Sequence, residues 1–434
     1  MSLSRRAILK ASGVAAVTVA SGARVPEAVA QGGDPGSWEW LRGLFDLSPD
    51  TVHMSSMLLA SHPRPVREAI EEHRRALDAD PVRYLARNDN RLTAAARQAA
   101  GEYLGIHSSH VALTDSTTMG VGLVYTGLKL RPGDDVLTTT EDYYVTHESL
   151  RLAAERTGAA VRKIPLFERV EEASEDEIVT RIVEAVRPRT RLVALTWVHS
   201  NTGLKLPVAA VAAALREVNA ERDEEDQVLL GLDAVHGFGV EDARFAELGC
   251  DFFMAGCHKW LFGPRGTGIA ALSDRGLALA RPSIPSFTDD AVFSAWLQED
   301  GAPPGGNSGP RMTPGGFKPF EHIWALPEAF ALHSQIGRER VAERTHVLAG
   351  ALKDALSGLP NVAVRTPRDA SLSAGIVSFD VEGAHPEAVV SSLRSRNIIA
   401  SAAPYAVQHV RLTPSIRNSE GEIERVAAAL REIV

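Results

Sequence analysis

The chain has 434 residues and a net charge of −9, from 46 Lys and Arg against 55 Asp and Glu. That length buries a large core and predicts two or three domains. The acidic balance, without a long basic run, argues against a nucleic-acid binder, and two cysteines are too few for a disulfide scaffold.

The first thirty residues read as an address. Ser4-Arg5-Arg6-Ala7-Ile8-Leu9-Lys10 resembles the twin-arginine export motif, and a weakly apolar stretch, Ala11 to Ala23, follows it. The stretch is short for a bilayer span, which wants about 20 apolar residues. Ala28-Val29-Ala30 then offers a small-x-small cleavage pattern, which places the mature start near Gln31. The expectation is export of an already folded protein with no stable membrane span after processing; an unused signal would leave it cytoplasmic. Residues 1–30 are therefore set apart from the fold.

From about residue 105 to 272, short β-rich runs alternate with helical patterns. Val111–Leu113 precedes a helix to about Lys129, and Asp135–Thr139 precedes a helix over 147–157. Ala160–Ile164 precedes a helix over 174–187, and Arg191–Trp197 precedes one over 207–220. Val228–Leu232 and a short helix near 242–248 lead to Phe252–Ala255. Strands this apolar, each followed by a helix, predict a mostly parallel sheet covered on both faces, a three-layer α/β sandwich. Residues 281–321 break the rhythm with Pro303-Pro304-Gly305-Gly306 and Pro314-Gly315-Gly316, and read as a linker or active-site loop. A helical run from about 322 to 357, a strand–helix–strand pattern and a helix over 419–433 predict a smaller C-terminal α/β domain. The division is then 31–320 for the N-terminal segment and large domain and 321–434 for the small one.

The chemistry concentrates between Leu229 and Leu272. Asp233-Ala234-Val235-His236-Gly237 follows one buried strand, and Gly256-Cys257-His258-Lys259-Trp260 follows the next. Ligands of open α/β sheets bind at the carboxyl ends of the strands, where both groups fall. Either residue alone has an ordinary reading, Lys259 as a surface lysine and Asp233 as a cap; the pair in this place does not. It suits pyridoxal phosphate (PLP), which needs a lysine neutral often enough to form an imine and a carboxylate to keep the pyridine nitrogen protonated. Lys259 takes the first role, Asp233 the second, and His236 falls beside the ring's phenolic oxygen. Cys250 and Cys257 lie in the same apolar segment and read as buried, with a reactive Cys257 as the alternative.

The run His258-Lys259-Trp260-Leu261-Phe262-Gly263-Pro264-Arg265-Gly266-Thr267-Gly268, with the Asp233-Ala234-Val235-His236 turn before it, resembles the PLP-binding region of fold-type I enzymes of the class V aminotransferase family. That family includes cysteine desulfurases and isopenicillin N epimerase-like proteins, and the likeness extends from about residue 50 to the end. The resemblance implies further roles. Thr117 and Thr118, at a strand-to-helix turn, and His258 would hold the cofactor phosphate. Tyr143, with Tyr144 as its neighbouring alternative, would stack on the ring; Asn201 would lie near the ring oxygen. Arg411 would grip a substrate carboxylate.

Three departures matter. Gly256 stands where desulfurases have a phosphate-binding serine, so that contact is absent or comes from His258. The segment Pro314-Gly315-Gly316-Phe317-Lys318-Pro319-Phe320-Glu321-His322 replaces the desulfurase Gly-Thr, and no cysteine lies in the C-terminal domain. The variant segment points to the epimerase-like branch, and the missing cysteine argues against cysteine desulfuration.

The resemblance implies a small amino-acid-type substrate, activated at Cα through an external aldimine and a carbanion. Reprotonation gives epimerisation or transamination; capture by molecular oxygen gives oxidative decarboxylation, as in natural-product tailoring. A binding protein that has lost catalysis is the reading from another class, against which Lys259, Asp233, His236 and Arg411 together speak. Relatives of this kind usually form homodimers.

Overall fold

A computed structural model describes residues 34, 36–287, 289–298, 301, 303 and 305–433; the export motif and cleavage pattern lie outside the described residues. A short helix, α1 (Trp38–Arg42), and a two-residue strand, β1 (Val52–His53), lead into two long helices, α2 (Arg64–Ala79) and α3 (Pro81–Leu104). Both helices precede the point where sequence alternation begins. Pro81 opens α3, where its missing N–H costs nothing, and Gly105 closes it at φ 70°, a left-handed position that glycine adopts without strain.

The alternating region then folds as expected. Its elements are β2 (Val111–Thr114), α4 (Thr117–Gly127), β3 (Asp135–Thr139), α5 (Tyr144–Thr157), β4 (Ala160–Ile164), α6 (Glu175–Ala185), β5 (Thr190–Thr196), α7 (Val208–Ala220), β6 (Leu229–Asp233), α8 (Phe245–Leu248), β7 (Phe252–Gly256) and β8 (Gly268–Leu272). The seven strands form one sheet in the order β2-β8-β7-β6-β5-β3-β4. All neighbouring pairs are parallel except those of β8, which runs antiparallel to both β2 and β7. The cause is local. Residues 257–267 join β7 to β8 without a helix, and a parallel return would need a crossover.

Alternate residues of the central strands feed two cores. Val193, Leu195, Leu230 and Leu232 join one apolar cluster, while Leu192, Ala194 and Leu229 join another on the opposite face with Val121, Val124, Val145 and Leu150. Burial on both faces is why these strands read as unbroken apolar runs.

The stretch over 281–321 holds two short helices, α10 (Asp290–Leu297) and α11 (Gly309–Met312), after α9 (Asp274–Leu279). Asp289 caps α10 and pairs with Arg311 at 2.6 Å, so this Pro- and Gly-rich stretch is tied by an ion pair rather than by apolar periodicity. Helices α12 (Phe320–Trp324) and α13 (Leu326–Ile336) pack Ile323, Trp324, Leu326 and Phe330 into the large core. The long helix α14 (Arg338–Ser357) leads to β9 (Val362–Val364), β10 (Val377–Val381), α15 (Pro386–Arg394), β11 (Ile398–Ile399), β12 (Ser401–Ala402), β13 (Val410–Leu412) and α16 (Glu420–Arg431). Here the sheet is antiparallel, in the order β12-β13-β10-β9, while β11 pairs with β1. Val52 and Met54 thereby join the core of the small domain with Leu348, Leu352 and Phe379.

Candidate active site

Asp233 is the last residue of β6 and Lys259 lies in the turn after β7, its neighbour in the sheet. The two therefore meet at the carboxyl edge. Asp233 is 3% exposed and, among the described residues, accepts one hydrogen bond, from the Val235 N–H at 3.2 Å. Burial pushes its carboxyl up to about 6, against the pull of the Val235 N–H and of Lys259. Burial also brings the Lys259 amine down to about 8; Asp233 opposes that shift and Arg411 adds to it. A carboxylate and an amine, each costly to charge in this place, are the two groups that a cationic heterocycle and an imine would relieve.

His236 is buried, and its Nδ1 accepts the Trp260 indole N–H at 3.2 Å. Indole only donates, so Nδ1 carries no proton and Nε2 is the N–H of the neutral ring. Burial, then Lys259, Arg411 and His258, keep that ring neutral by lowering its pKa well below the ordinary value. Below the turn, Gly237 admits Trp197, for a Cβ there would fall 2.2 Å from Trp197 Cε3. Lys259, His236 and Trp260 thus sit on a fixed floor.

At the other end of the cleft, Ser116 caps α4 and accepts the Met119 N–H at 3.1 Å. Among the described residues the Thr117 and Thr118 N–H groups take no such bond, and they present the positive end of the helix. Thr117 Oγ1 accepts the Gly256 N–H at 2.8 Å, which joins the helix start to the strand that carries Lys259. Thr118 is exposed. His258 Nδ1 is buried without a hydrogen-bond partner among the described residues. A Cβ at Gly256 would fall 2.9 Å from His258 Cε1 and 3.1 Å from Thr117 Oγ1, so a serine cannot stand here unless His258 shifts.

The wall opposite the floor comes from the loop after β5 and from the small domain. Arg411, on β13, is 2% exposed and donates to Ser200 O at 2.7 Å, Ala402 O at 3.0 Å and Ser401 Oγ at 3.3 Å. A guanidinium has five N–H groups, so these bonds leave two for a ligand. Burial lowers its pKa to about 10, and it remains a cation at neutral pH. Asn201 donates to Val407 O at 3.3 Å, and its Oδ1 is buried without a partner among the described residues. Tyr143, half-buried at the start of α5, meets Tyr144 edge-on at 4.7 Å and lies 6.0 Å from the Tyr405 ring. Tyr144 is 64% exposed, which leaves Tyr143 as the enclosed member of the pair.

Sequence reasoning missed Tyr405. Its hydroxyl bonds Ser200 Oγ at 2.8 Å, and it sits close enough to Arg411 to raise that group's pKa. No spacing flags it, because it lies in the irregular link between β12 and β13. Trp260 was in view only as the aromatic after the lysine, yet it sets the tautomer of His236. Asp142 went unnoticed between Glu141 and Tyr143.

The model for aminotransferase class-V matches residues 60–422. The chain belongs to the class-V aminotransferase family. It is 26% identical to isopenicillin N epimerase of Streptomyces clavuligerus over 405 residues, covering 91% of this chain and 97% of that protein. The isopenicillin N epimerase of Amycolatopsis lactamdurans is 27% identical, covering 92% and 98%. In fold it is similar to C-DES, solved as a mutant with glycine covalently linked to the PLP cofactor, with a TM-score of 0.80 and 23% identity over 90% of this chain and 99% of that one.

This PLP-dependent enzyme has residues that fit the cofactor on its own geometry. The orphaned His258 Nδ1 and the start of α4 flank a space that a Cβ at Gly256 would narrow, and the buried Asp233 and half-buried Lys259 lie along the same edge. Both cysteines are buried, and burial pushes the Cys257 thiol up to about 12 and that of Cys250 higher. Neither is a reactive thiolate.

Proposed function

We propose that this enzyme moves a proton at the Cα of an amino acid or amino-acid-derived metabolite, as an epimerase or aminotransferase does. One observation carries the reading: Lys259 lies beside the carboxyl edge that ends in Asp233 and feels both that carboxylate and the buried Arg411 guanidinium. PLP, when bound, supplies the electron sink for the pair released at Cα. Arg411 holds the substrate carboxylate with its two remaining N–H groups, and a bidentate grip fixes which Cα bond faces Lys259. Lys259, neutral for part of the time at neutral pH, accepts the Cα proton and returns it. Asp233 holds its charge at the floor of the cleft, and Tyr143 with Tyr405 excludes water above it.

Similarity to two isopenicillin N epimerases along nearly the whole chain supports return of the proton to carbon. The buried thiols speak against a persulfide route. The test is proton exchange in D2O across a panel of L- and D-amino acids and short peptides. The reconstituted enzyme should deuterate Cα of at least one, and Lys259→Ala should reduce that rate by about 10²–10⁴-fold or more. Oxygen uptake with release of CO2, and no deuterated substrate recovered, would overturn the reading in favour of oxidative decarboxylation. The reading also includes export of the folded holoenzyme, carried by Ser4–Lys10 and Ala28–Ala30, and assembly as a homodimer. Cell fractionation with Arg5→Lys/Arg6→Lys as control, and light scattering of the purified enzyme, check these two points.

A further inference from the structure

Behind Asp233, on the α4–α5 side of the sheet, buried polar atoms collect without protein partners. Asp142 Oδ1, Tyr125 Oη, Thr196 Oγ1 and both ring nitrogens of His199 make no hydrogen bond among the described residues. Tyr125 and His199 are fully buried, and Asp142 and Thr196 are 2% and 3% exposed. Buried polar groups are nearly always paired, with protein or with ordered water, so five such atoms in one region require an explanation.

Their placement supplies it. Thr196 is the in-register partner of Asp233 across the parallel β5–β6 pair, so the two side chains leave the same face of the sheet. The Tyr125 hydroxyl lies over Gly231, where a Cβ would sit 2.8 Å from it. Gly231 precedes Asp233 by two residues on the same strand face, a distance of about 6.6 Å. Asp142 is fixed through its other oxygen, which accepts the Thr138 hydroxyl at 2.7 Å and the Thr139 N–H at 2.8 Å. Thr138 and Thr139 end β3, the strand beside β5, so Asp142 stands next to Thr196 on the side away from Asp233, and its charge reaches Tyr125, His199, Asp233 and Tyr405.

We propose that Tyr125, Asp142, Thr196 and His199 enclose an internal hydration site behind Asp233, and that Asp142 is a positioning residue whose charge reinforces the Asp233 carboxylate against the cofactor's ring nitrogen. The proposal rests on the PLP reading of the cleft. Water in such a pocket satisfies the orphaned atoms, and a second carboxylate in a low-dielectric site adds to the field that keeps a ring nitrogen protonated. Other titratable or charged groups about these residues are Lys259, Arg411, Glu141, Tyr143, Cys250, Tyr405, His236 and His258.

The test is the pH titration of the visible absorption band of PLP-reconstituted enzyme, for wild type, Asp142→Asn and Tyr125→Phe. Losing a nearby negative charge makes the Lys259-linked cofactor easier to deprotonate. Asp142→Asn should therefore lower the midpoint by about 0.5–1 pH unit with Tm and far-UV CD unchanged. Tyr125→Phe should move it by a few tenths. A crystal structure of the holoenzyme should show water within hydrogen-bond distance of Asp142 Oδ1; a dry pocket overturns the hydration site. An unmoved midpoint in folded Asp142→Asn overturns the positioning role while the cofactor reading stands. A wild type that stays colourless overturns the cofactor reading, and the proposal with it. If Asp142→Asn does not fold, Tyr125→Phe and Thr196→Val probe the same pocket, and unmoved midpoints in both overturn the proposal.

Discussion

The two sides of the cleft are built differently. The floor is internal to the large domain: Asp233 is held by Val235, Gly256 by Thr117, and His236 by Trp260, all on or beside the carboxyl ends of β6 and β7. The substrate wall is a seam. Arg411 reaches from β13 to Ser200 of the large domain and to Ser401 and Ala402 of the small one, and Tyr405 crosses the same seam to Ser200. On the proposed reading, groups that handle the cofactor are therefore fixed by one sheet, whereas the group that grips the substrate depends on how two domains meet. Sites that share such a floor can differ in the substrate they take through changes confined to the seam.

The largest effect expected after loss of Lys259 is on the floor, at Asp233. Its folded carboxyl titrates near 6, above its ordinary value, so the folded apoenzyme binds that proton more tightly than the unfolded chain. The stabilisation is full below the unfolded pKa and is lost as pH rises through about 6, which leaves a buried charge as a net cost at pH 7–8. Asp233→Asn should thus stabilise the apoenzyme there by about 2 kcal/mol, with no gain at pH 4. The same change should cost about 10²–10³-fold in kcat, because an amide does not hold the ring nitrogen's proton. Calorimetry at the two pH values and steady-state kinetics separate the two outcomes. A destabilised apoenzyme at pH 7 would mean that Asp233 serves the fold and not the cofactor.

On the seam, Arg411→Lys removes the two-pronged grip but keeps the charge. The expected result is a rise in KM of about 10–100-fold with kcat changed much less, since a charge-assisted bidentate pair is worth about 1.5–3 kcal/mol. A fall in kcat with constant KM would move Arg411 from recognition into the chemical step and erase the distinction between the two walls.

The same division governs what the sequence made legible. The floor was readable because each of its residues sits at a strand end whose apolar run announces itself: Leu229–Leu232 before Asp233, and Phe252–Ala255 before Lys259. The seam was less so. Arg411 stood out only through the family likeness, and Tyr405 carries no local pattern, because its position depends on a contact 205 residues away. The antiparallel β8 was hidden for a related reason. Its apolar run Gly268–Leu272 looks like any buried strand, and only the helix-free connection before it sets the direction. Helices α2 and α3 escaped because charged residues dominate their exposed faces, and few of their positions are buried. Asp142 was invisible because its significance lies in a hydrogen bond it lacks.

A smaller effect sharpens the account of the floor. Trp260→Phe removes the N–H that fixes His236, and with it the indole edge that packs against Gly375. With Nδ1 released, the neutral ring can place its proton on either nitrogen. The expected loss is about 1 kcal/mol in kcat/KM, roughly fivefold, and Tm falls as well because the smaller ring leaves space in the core. A flatter pH profile for kcat/KM would accompany it.

Gly256→Ser is the mildest test and bears on ancestry as much as mechanism. A Cβ at this position meets His258 Cε1 at 2.9 Å and Thr117 Oγ1 at 3.1 Å, so the side chain must displace one of them. Displacing His258 would, on the proposed reading, exchange one phosphate donor for another; displacing Thr117 breaks its bond to the Gly256 N–H and loosens the start of α4 from β7. His258 is the softer neighbour, since its Nδ1 is not held by any bond among the described residues. The affinity for PLP, measured by fluorescence on apoenzyme, should fall by about tenfold or less, the value of one exchanged hydrogen bond. Serine and His258 then compete for one place at the phosphate, and the double variant Gly256→Ser/His258→Ala should recover part of the loss. If the single change instead tightens binding, both donors fit together and the tight contact at Gly256 yields more easily than its distances imply.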